Sequence, residues 1–302
     1  MNTLKMIQKA KFYAKSPLLD ETSLTTEPDS AITTAEWAGL LNDSQLYHMN
    51  VVISAAEEYF GSIETISFVA GTQEYALPGN TIQVRLIERT DDSNRVIYPI
   101  NINDRLMYEP VDSSYDTLLR PDYSYIWKNV VGFSPTPGVS ASNNINILYI
   151  RRLPDLSYGT ASAAASTSIT LASTPSIGLT SNENDYYNGA TVKIISATTG
   201  AGQSRVITDY VGSTRVATVA TWDVTPTGTI VYDIVCDIPE QYHPAIPMYA
   251  AILAKTSDDD NISQIKTLHN ELVDQMVNGL VPRQTQDARY VNYIEDSKYL
   301  NG

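Results

Sequence analysis

The stretch that decides the fold is Thr33–Gly61, which reads TTAEWAGLLNDSQLYHMNVVISAAEEYFG. Thr33 and Glu36 have the spacing of a capping box, in which two side chains satisfy the free amides at a helix start. The polar residues 42–44 predict a break and a second N-cap, and Gly61 predicts a C-terminal cap. The stretch therefore predicts two consecutive helices, and the second has an apolar stripe of Leu46, Met49, Ile53, Ala56 and Phe60.

A second helical region near the C-terminus is expected to cover this stripe. Asp237 and Glu240 repeat the capping-box spacing, and the prolines at 244 and 247 must lie near a helix start. Helix is predicted over Met248–Lys255 and again after the acidic loop 258–260. The later helix, ended by Gly279 and Pro282, has a stripe of Ile262, Ile265, Leu268, Leu272 and Met276, with Ile252 and Leu253 beside it. Residues 33–62 and 237–280 are therefore predicted to form a helical bundle built from both ends of the chain.

The chain between the helical regions begins with the period-two pattern of antiparallel strands. β-Branched and aromatic runs, separated by Gly, Pro, Asn and Asp, predict a β unit over residues 63–156. A short helical turn capped by Asn103 is predicted at Asn101–Tyr108. The predicted strands are Thr65–Ala70, Thr81–Thr90, Arg95–Ile100, Tyr123–Trp127, Val130–Phe133 and Ile145–Arg151.

Residues 157–236 are predicted to form a further, inserted small β domain. Ser157–Thr180 is rich in Ala, Ser and Thr, and it predicts a flexible connection with one strand at Ser168–Ala172. The remaining predicted strands are Thr191–Ser196, Ser204–Tyr210, Arg215–Thr221 and Thr229–Val235. The predicted fold class is therefore α+β, with a helical bundle, an antiparallel β unit and an inserted β domain.

The two ends of the chain are predicted to be arms. Residues 1–32 combine a short helix with a linker, and Lys5, Lys9 and Lys11 give the helix a basic side without any acid. These lysines either dock on an acidic partner or form a solvated face. In the C-terminal arm, residues 281–302, the candidate partner-binding residues are Tyr290, Tyr293, Ile294, Tyr299 and Leu300. A tail that is only solvated would be poorer in such groups, although the arm has the alternative of packing on its own subunit.

Composition narrows the function classes. The 302 residues carry 20 Lys plus Arg against 34 Asp plus Glu, a net charge of −14, which argues against a nucleic-acid-binding surface over the whole protein. No apolar run reaches the length of a membrane span, and the N-terminus lacks the apolar core of a secretory signal. The lone Cys236 and the scattered His48, His243 and His269 predict neither a metal site nor a nucleophile. We therefore expect no enzyme activity and no cofactor.

Several motifs follow one another in a recognisable order. They are AAEEYFG at 55–61, YALP at 75–78, YSYIW at 123–127, VGFSPTP at 131–137, ILYIRRLP at 147–154 and IPEQYHPAI at 238–246. This order resembles the head-to-tail adaptors (connector or neck-ring proteins) of tailed bacteriophages. The module from Asn188 to Arg205 is similar to a small β unit of phage structural proteins.

The resemblance implies a structural virion protein located in the neck and assembled in the cytoplasm of the host bacterium. Such proteins form a homo-oligomeric ring, usually of twelve subunits, that binds the portal protein on one side and tail or nozzle proteins on the other. DNA passes through the channel without specific binding, and no membrane is involved. The alternatives are another virion ring such as a tail terminator, a carbohydrate-binding β module with tyrosine platforms, and a glycan hydrolase of the tail.

Overall fold

The computed structural model describes residues 1–14, 32–90, 95–108, 121–255 and 263–280. Within these ranges the chain is an α+β protein in which strand outweighs helix. The α-helices are α1 Thr3–Tyr13, α2 Thr34–Ala55, α3 Ala245–Lys255 and α4 Ser263–Leu280. Two 3₁₀ helices lie at Ile102–Tyr108 and Glu240–Tyr242. The predicted α+β class is confirmed.

The strands form three sheets. In chain order they are β1 Gly61–Phe68, β2 Glu74–Ala76, β3 Thr81–Arg89, β4 Arg95–Val96, β5 Tyr98–Pro99, β6 Tyr123–Trp127, β7 Val130–Ser134, β8 Ala141–Arg151, β9 Tyr158–Thr160, β10 Ala163–Ala165, β11 Ser168–Thr170, β12 Thr191–Ser196, β13 Ser204–Val211, β14 Val216–Val219 and β15 Val231–Val235. The strand orders are β1-β8-β3-β4, β2-β7-β6-β5 and β10-β11-β14-β13-β12-β15-β9.

Helix α2 begins at the predicted capping box. Thr33 Oγ1 accepts from the Glu36 amide at 3.2 Å, and Glu36 Oε2 accepts from the Thr33 amide at 2.7 Å. The predicted break at residues 42–44 is wrong, because one helix runs through them. Ser44 Oγ donates to the Ile246 carbonyl at 2.7 Å, and Asn42 Oδ1 accepts from the Leu156 amide at 2.9 Å. Distant partners satisfy these polar groups, so the groups do not compete with the helix as local caps.

The predicted C-terminal cap at Gly61 is also wrong. Helix α2 ends at Ala55, where Ala56 leaves the helical conformation with φ −143° and ψ 79°. Gly61 is instead the first residue of β1. The Phe60 side chain is 2% exposed, and its carbonyl accepts from the Arg151 amide at 3.1 Å. Sheet pairing and the burial of Phe60 therefore end the helix earlier than the glycine signal indicates.

The return to helix differs from the predicted capping box at residues 237–240. Asp237 does not cap a helix, because its Oδ2 accepts from Arg151 Nη2 at 2.7 Å. The N-cap of the 3₁₀ helix is Pro239, which makes no side-chain cap bond. Helix α3 then starts at Ala245, and Pro247 lies in its first turn as predicted, where a proline interrupts no helix hydrogen bond.

Helix α4 buries a different stripe from the predicted one. Leu268 is 52% exposed, so its predicted place in the core is wrong. The buried residues of α4 are His269, Met276 and Leu280, and Gly279 lies inside the helix rather than after it. Ile262 and Pro282 lie outside the described residues. Helix α2 contacts α1 and α3 as well as α4, so its apolar face is shared among three helices.

The core of the helical region continues into the β part. Buried residues from all four helices pack in one cluster with Ile150 of β8, with Leu153 and Leu156 after that strand, and with Cys236 after β15. Burial of apolar surface is favourable whichever element covers it, so the helices pack against strand residues as well as against each other. A bundle independent of the sheets remains a prediction.

The two four-stranded sheets face each other across a separate core. This core consists of Phe68, Ile87, Ile97, Val131, Phe133, Ile145 and Ile147. The predicted single strand Arg95–Ile100 is wrong, because Arg95–Val96 pairs with β3 whereas Tyr98–Pro99 pairs in parallel with β6. Ile97, 2% exposed, lies between the two pairings and anchors the crossing chain in the core.

The seven-stranded sheet is formed entirely by residues between Tyr158 and Val235 and has its own core. Three short strands, β9, β10 and β11, lie within Ser157–Thr180, so the prediction of a flexible connection with one strand is wrong there. Small residues such as Ala163–Ala165 give weak strand signals, and here β11 and β15 supply the pairing that forms the strands. The division of the chain into domains stays a prediction.

Candidate interaction surfaces

The three N-terminal lysines do not share one surface. Helix α1 starts at the N-cap Asn2, whose Oδ1 accepts from the Lys5 amide at 2.9 Å. Its apolar face is buried, with Met6, Ile7 and Ala10 each 0% exposed. Lys5 and Lys9 are exposed, whereas Lys11 is buried. The predicted basic arm is thus a packed helix with two exposed lysines.

A buried aspartate holds the start of α1 against the seven-stranded sheet. The Thr3 amide donates to both carboxylate oxygens of Asp233, at 3.2 and 3.3 Å. Burial raises the pKa of Asp233 to about 7, against the opposing effect of the hydrogen bonds from Thr3. A carboxylate at a helix N-terminus also meets the positive end of the helix dipole. This contact was not predicted from the sequence, although an acid inside the apolar strand Val231–Val235 was a signal for it.

A histidine pair joins α2 to α4. His48 Nε2 lies 3.0 Å from His269 Nε2, and His48 Nδ1 lies 2.7 Å from the Ser44 carbonyl oxygen. Because a carbonyl only accepts, Nδ1 of His48 carries its proton, so Nε2 of neutral His48 accepts from His269. Burial lowers the pKa of His48 to about 4 and also lowers that of His269. Tyr249 stacks on His269 with ring centroids 5.2 Å apart, and these contacts give the pair a structural role.

The described residues show little that is suited to catalysis. In these ranges no group of three or more His, Cys, Asp or Glu side chains is placed to hold a metal ion. Cys236 is buried, and burial raises the pKa of its thiol to about 12, which leaves it unreactive at neutral pH. None of the helices in the described part of the chain combines the length and the apolar character needed to cross a membrane.

Several large apolar side chains are exposed on the β2-β7-β6-β5 sheet and on the 3₁₀ helix Ile102–Tyr108. Leu106 is 73% exposed, Met107 80% and Trp127 50%. We define the Trp127 surface as Tyr98, Leu106, Met107, Ile126 and Trp127, all of which are exposed. A groove of about 560 Å³ adjoins it, lined by residues of β3, β4 and β6 and of the chain after β5. Exposed apolar surface of this kind marks interaction sites.

The Trp127 surface was not predicted from the sequence, although two signals for it were present. Leu106, Met107 and Tyr108 are three consecutive apolar residues at the end of a short helical turn. Ile126 and Trp127 are neighbours in a strand, and neighbours point to opposite faces of a sheet. The other nominated residues, Tyr290, Tyr293, Ile294, Tyr299 and Leu300, lie outside the described residues.

Comparison with known proteins adds the decisive observation. Residues 1–190, well over half of the chain, match the SU10 adaptor protein family. The chain belongs to that family. It is therefore a bacteriophage adaptor protein and a structural component of the virion. No curated protein matches the chain.

The part of the chain that matches the SU10 adaptor family contains some of these structural features and leaves out others. It includes α1, α2, both four-stranded sheets and the Trp127 surface. Asp233, α3, α4 and the C-terminal arm lie beyond residue 190. Membership implies that this adaptor contacts other virion proteins, which agrees with the exposed apolar surface within the matched part.

Proposed function

We propose that this adaptor forms a closed ring between the portal vertex of the capsid and the tail, with a channel through which DNA passes. The observation that carries the proposal is the adaptor-family match over residues 1–190. The order of sequence motifs supports the neck position, and by the same resemblance the ring has about twelve subunits. Portal protein contacts one side of the ring, and tail or nozzle proteins contact the other.

The Trp127 surface supplies a contact suited to such a ring. Interface cores are enriched in aromatic residues and Met and are poor in charge. The exposed Trp127, Tyr98 and Met107 match that composition. A ring of identical subunits uses a head-to-tail contact between two different surfaces of the chain, so a second, complementary surface must exist.

The charge of the chain suits the passage of DNA. A net charge of −14 per subunit, repeated around a channel, repels phosphate groups and so favours sliding over binding. We accordingly propose that acidic side chains line the channel wall. Added salt should therefore change the affinity of the ring for DNA very little, unlike that of a protein that neutralises phosphates.

We infer that the role is non-catalytic. The adaptor family is structural, and His48 and His269 are engaged with each other across two helices. The third histidine, His243, is 3% exposed, with Nε2 2.6 Å from the Ile238 carbonyl oxygen. A hydrolytic activity that vanished when one carboxylate was changed to its amide would contradict this inference.

The test of the proposed function is native mass measurement of the purified adaptor, alone and mixed with the portal ring of the same phage. The full chain should give a ring of about twelve copies or a portal complex carrying that number. A chain truncated after Pro282 should keep its thermal stability but lose ring formation or portal binding. The length-matched control replaces Tyr290, Tyr293 and Tyr299 by Ser and should behave like the truncation.

Two outcomes would contradict the assignment of the arm and of the ring. A truncated monomer that melts much earlier than the full chain would show that the arm packs on its own subunit. A full chain that stays monomeric and does not join the portal would refute the ring itself.

A further inference from the structure

We propose that the groove beside the Trp127 surface receives residues 290–294 of the C-terminal arm of a neighbouring copy, which adds to the sheet as a strand. The inference rests on the proposed assembly of identical copies. It names the second surface that a head-to-tail ring contact requires.

The walls of the groove are mostly apolar, with Arg85, Asn101 and Ser124 among them, and they are accessible. The apolar side chains that line it include Val84, Ile87, Val96, Ile102, Ile126 and Trp127. Val96 is 39% exposed, Ile126 48% and Trp127 50%, so part of the lining faces solvent. A partner that removes these three side chains from water gains the hydrophobic contribution of each.

The groove also lies between two strand edges that are paired over only part of their length among the described strands. On the side away from β8, β3 pairs with β4 only at Glu88 and Arg89, which leaves residues 81–86 without a strand partner in the described chain. On the side away from β7, β6 pairs with β5 only at Tyr123 and Ser124. Open edges of this kind accept an extended peptide through main-chain hydrogen bonds, while side-chain pockets provide specificity.

The C-terminal arm contains a segment with the matching properties. Residues 290–294 read YVNYI, in which four of the five residues are β-branched or aromatic and so favour a strand. Five extended residues span about 17 Å, and the groove-lining part of β3, residues 84–87, spans about 13 Å. The lengths therefore agree to within one residue.

The charges next to residues 290–294 also favour this segment as the occupant of the groove. Glu295 and Asp296 follow it directly. On the groove side, Lys128 Nζ lies 6.0 Å from the centre of the Trp127 ring, and the Arg105 guanidinium carbon lies 5.9 Å from the centre of the Tyr125 ring. The nearby Glu74 carboxylate accepts from the Tyr125 hydroxyl at 3.1 Å. An acidic pair beside apolar anchors thus meets two cations beside an aromatic groove.

The length of the arm allows it to leave its own subunit. Helix α4 ends at Leu280, which is 2% exposed in the helical core. The nine residues from 281 to 289 reach at most about 30 Å when extended. Every copy then has one groove and one arm, which is the head-to-tail contact that a ring of identical copies requires.

The test is disulfide trapping between two full-length chains of different mass. One chain carries Ile126→Cys or Val96→Cys in the groove, the other carries Tyr293→Cys in the arm, and oxidised glutathione is the oxidant. A disulfide between the two chains is expected for at least one groove position. The native residue Cys236 should not interfere, because it is 4% exposed. The matched control is Leu179→Cys, which lies outside the groove at 75% exposure and should give no bond to the arm.

A second measurement uses Trp127→Ala, which truncates a side chain that is 50% exposed and should leave the fold intact. Loss of a central aromatic anchor should weaken self-association at least about tenfold, whereas Leu179→Ala should leave it unchanged. A further variant carries the groove cysteine and the arm cysteine in the same chain. If its disulfide forms only within one chain and never between chains, the arm comes from the same subunit, and the neighbouring copy is overturned as its source. If the native mass shows a ring but no groove position traps the arm, the docking is wrong and the proposed ring stands. A chain that is monomeric and untrapped would refute both.

Discussion

The histidine pair between α2 and α4 should make folding stability depend on pH in a way that one substitution removes. Neutral His48 accepts at Nε2 from His269, 3.0 Å away, and donates through Nδ1 to the Ser44 carbonyl. Protonation of His48 places a charge in a buried site and turns its Nε2 from an acceptor into a donor, so His269 must change its tautomer to keep the hydrogen bond. His48→Gln keeps a polar side chain there but cannot titrate.

The sign and size of the effect follow from the pKa of His48, lowered by burial from 6.5 to about 4. As pH falls, the unfolded chain binds the proton first, so stability present above the unfolded pKa is lost between about pH 6.5 and pH 4. At about 1.4 kcal/mol for each pKa unit, the full loss is about 3.4 kcal/mol. Between about pH 7.5 and pH 5 the loss is about 2 kcal/mol.

The assay is urea unfolding of the wild type and of His48→Gln at several pH values and one fixed protein concentration, since assembly shifts apparent stability. The difference between their unfolding free energies should fall by about 2 kcal/mol on going from about pH 7.5 to pH 5. The difference between the two proteins is used because Asp233, whose pKa is raised, makes the stability of the wild type change with pH in the opposite direction. A difference constant to within about 0.5 kcal/mol would refute the reasoning. The partner variant His269→Gln should show a change of the same sign, because burial also lowers the pKa of His269.

Three further predictions concern single contacts. Met276→Ala should cost about 2–5 kcal/mol in urea unfolding, whereas Leu268→Ala, at a position 52% exposed, should cost less than about 1 kcal/mol; equal costs would contradict the buried face of α4. In the wild type, stability should fall by roughly 1.5 kcal/mol between about pH 6 and pH 8.5, because the raised pKa of Asp233 stabilises the fold only at pH values below that pKa. Asp233→Asn should remove this fall, and an unchanged slope of stability against pH would contradict the burial of that charge. Thr33→Ala should lower the unfolding free energy by about 1 kcal/mol through loss of the cap, with no change in assembly; a smaller loss than for the exposed change Ser54→Ala would contradict it.

Local signals predicted much of the fold. The capping box at Thr33 is confirmed, and strands with strong β-branched alternation were found within a residue or two, as at Thr191–Ser196 and Thr81–Arg89. The errors occurred where a distant partner overrides a local preference. Ser44 and Asn42 are residue types that often cap helices, but here their hydrogen-bond partners are the Ile246 carbonyl and the Leu156 amide. No pattern within twenty residues of Ser44 contains that information.

The interaction surfaces were harder to predict for a related reason. Lys11 has the chemistry of an exposed basic residue, yet the packing of α1 buries it. Trp127 has the chemistry of a core residue, yet half of its side chain is exposed, and the described pairing of β5 with β6 stops at Ser124, before it reaches Trp127. Exposure of a given side chain depends on which elements become neighbours, and this is a property of the whole topology.

The most direct test of the ring is electron cryo-microscopy of the neck in virions of the phage that encodes this adaptor. We expect density for the three sheets and the α1–α4 helices in a ring of about twelve copies between portal and tail, around an open channel. Density for the fold elsewhere, as in a fibre or spike, or its absence from the neck, would contradict the account.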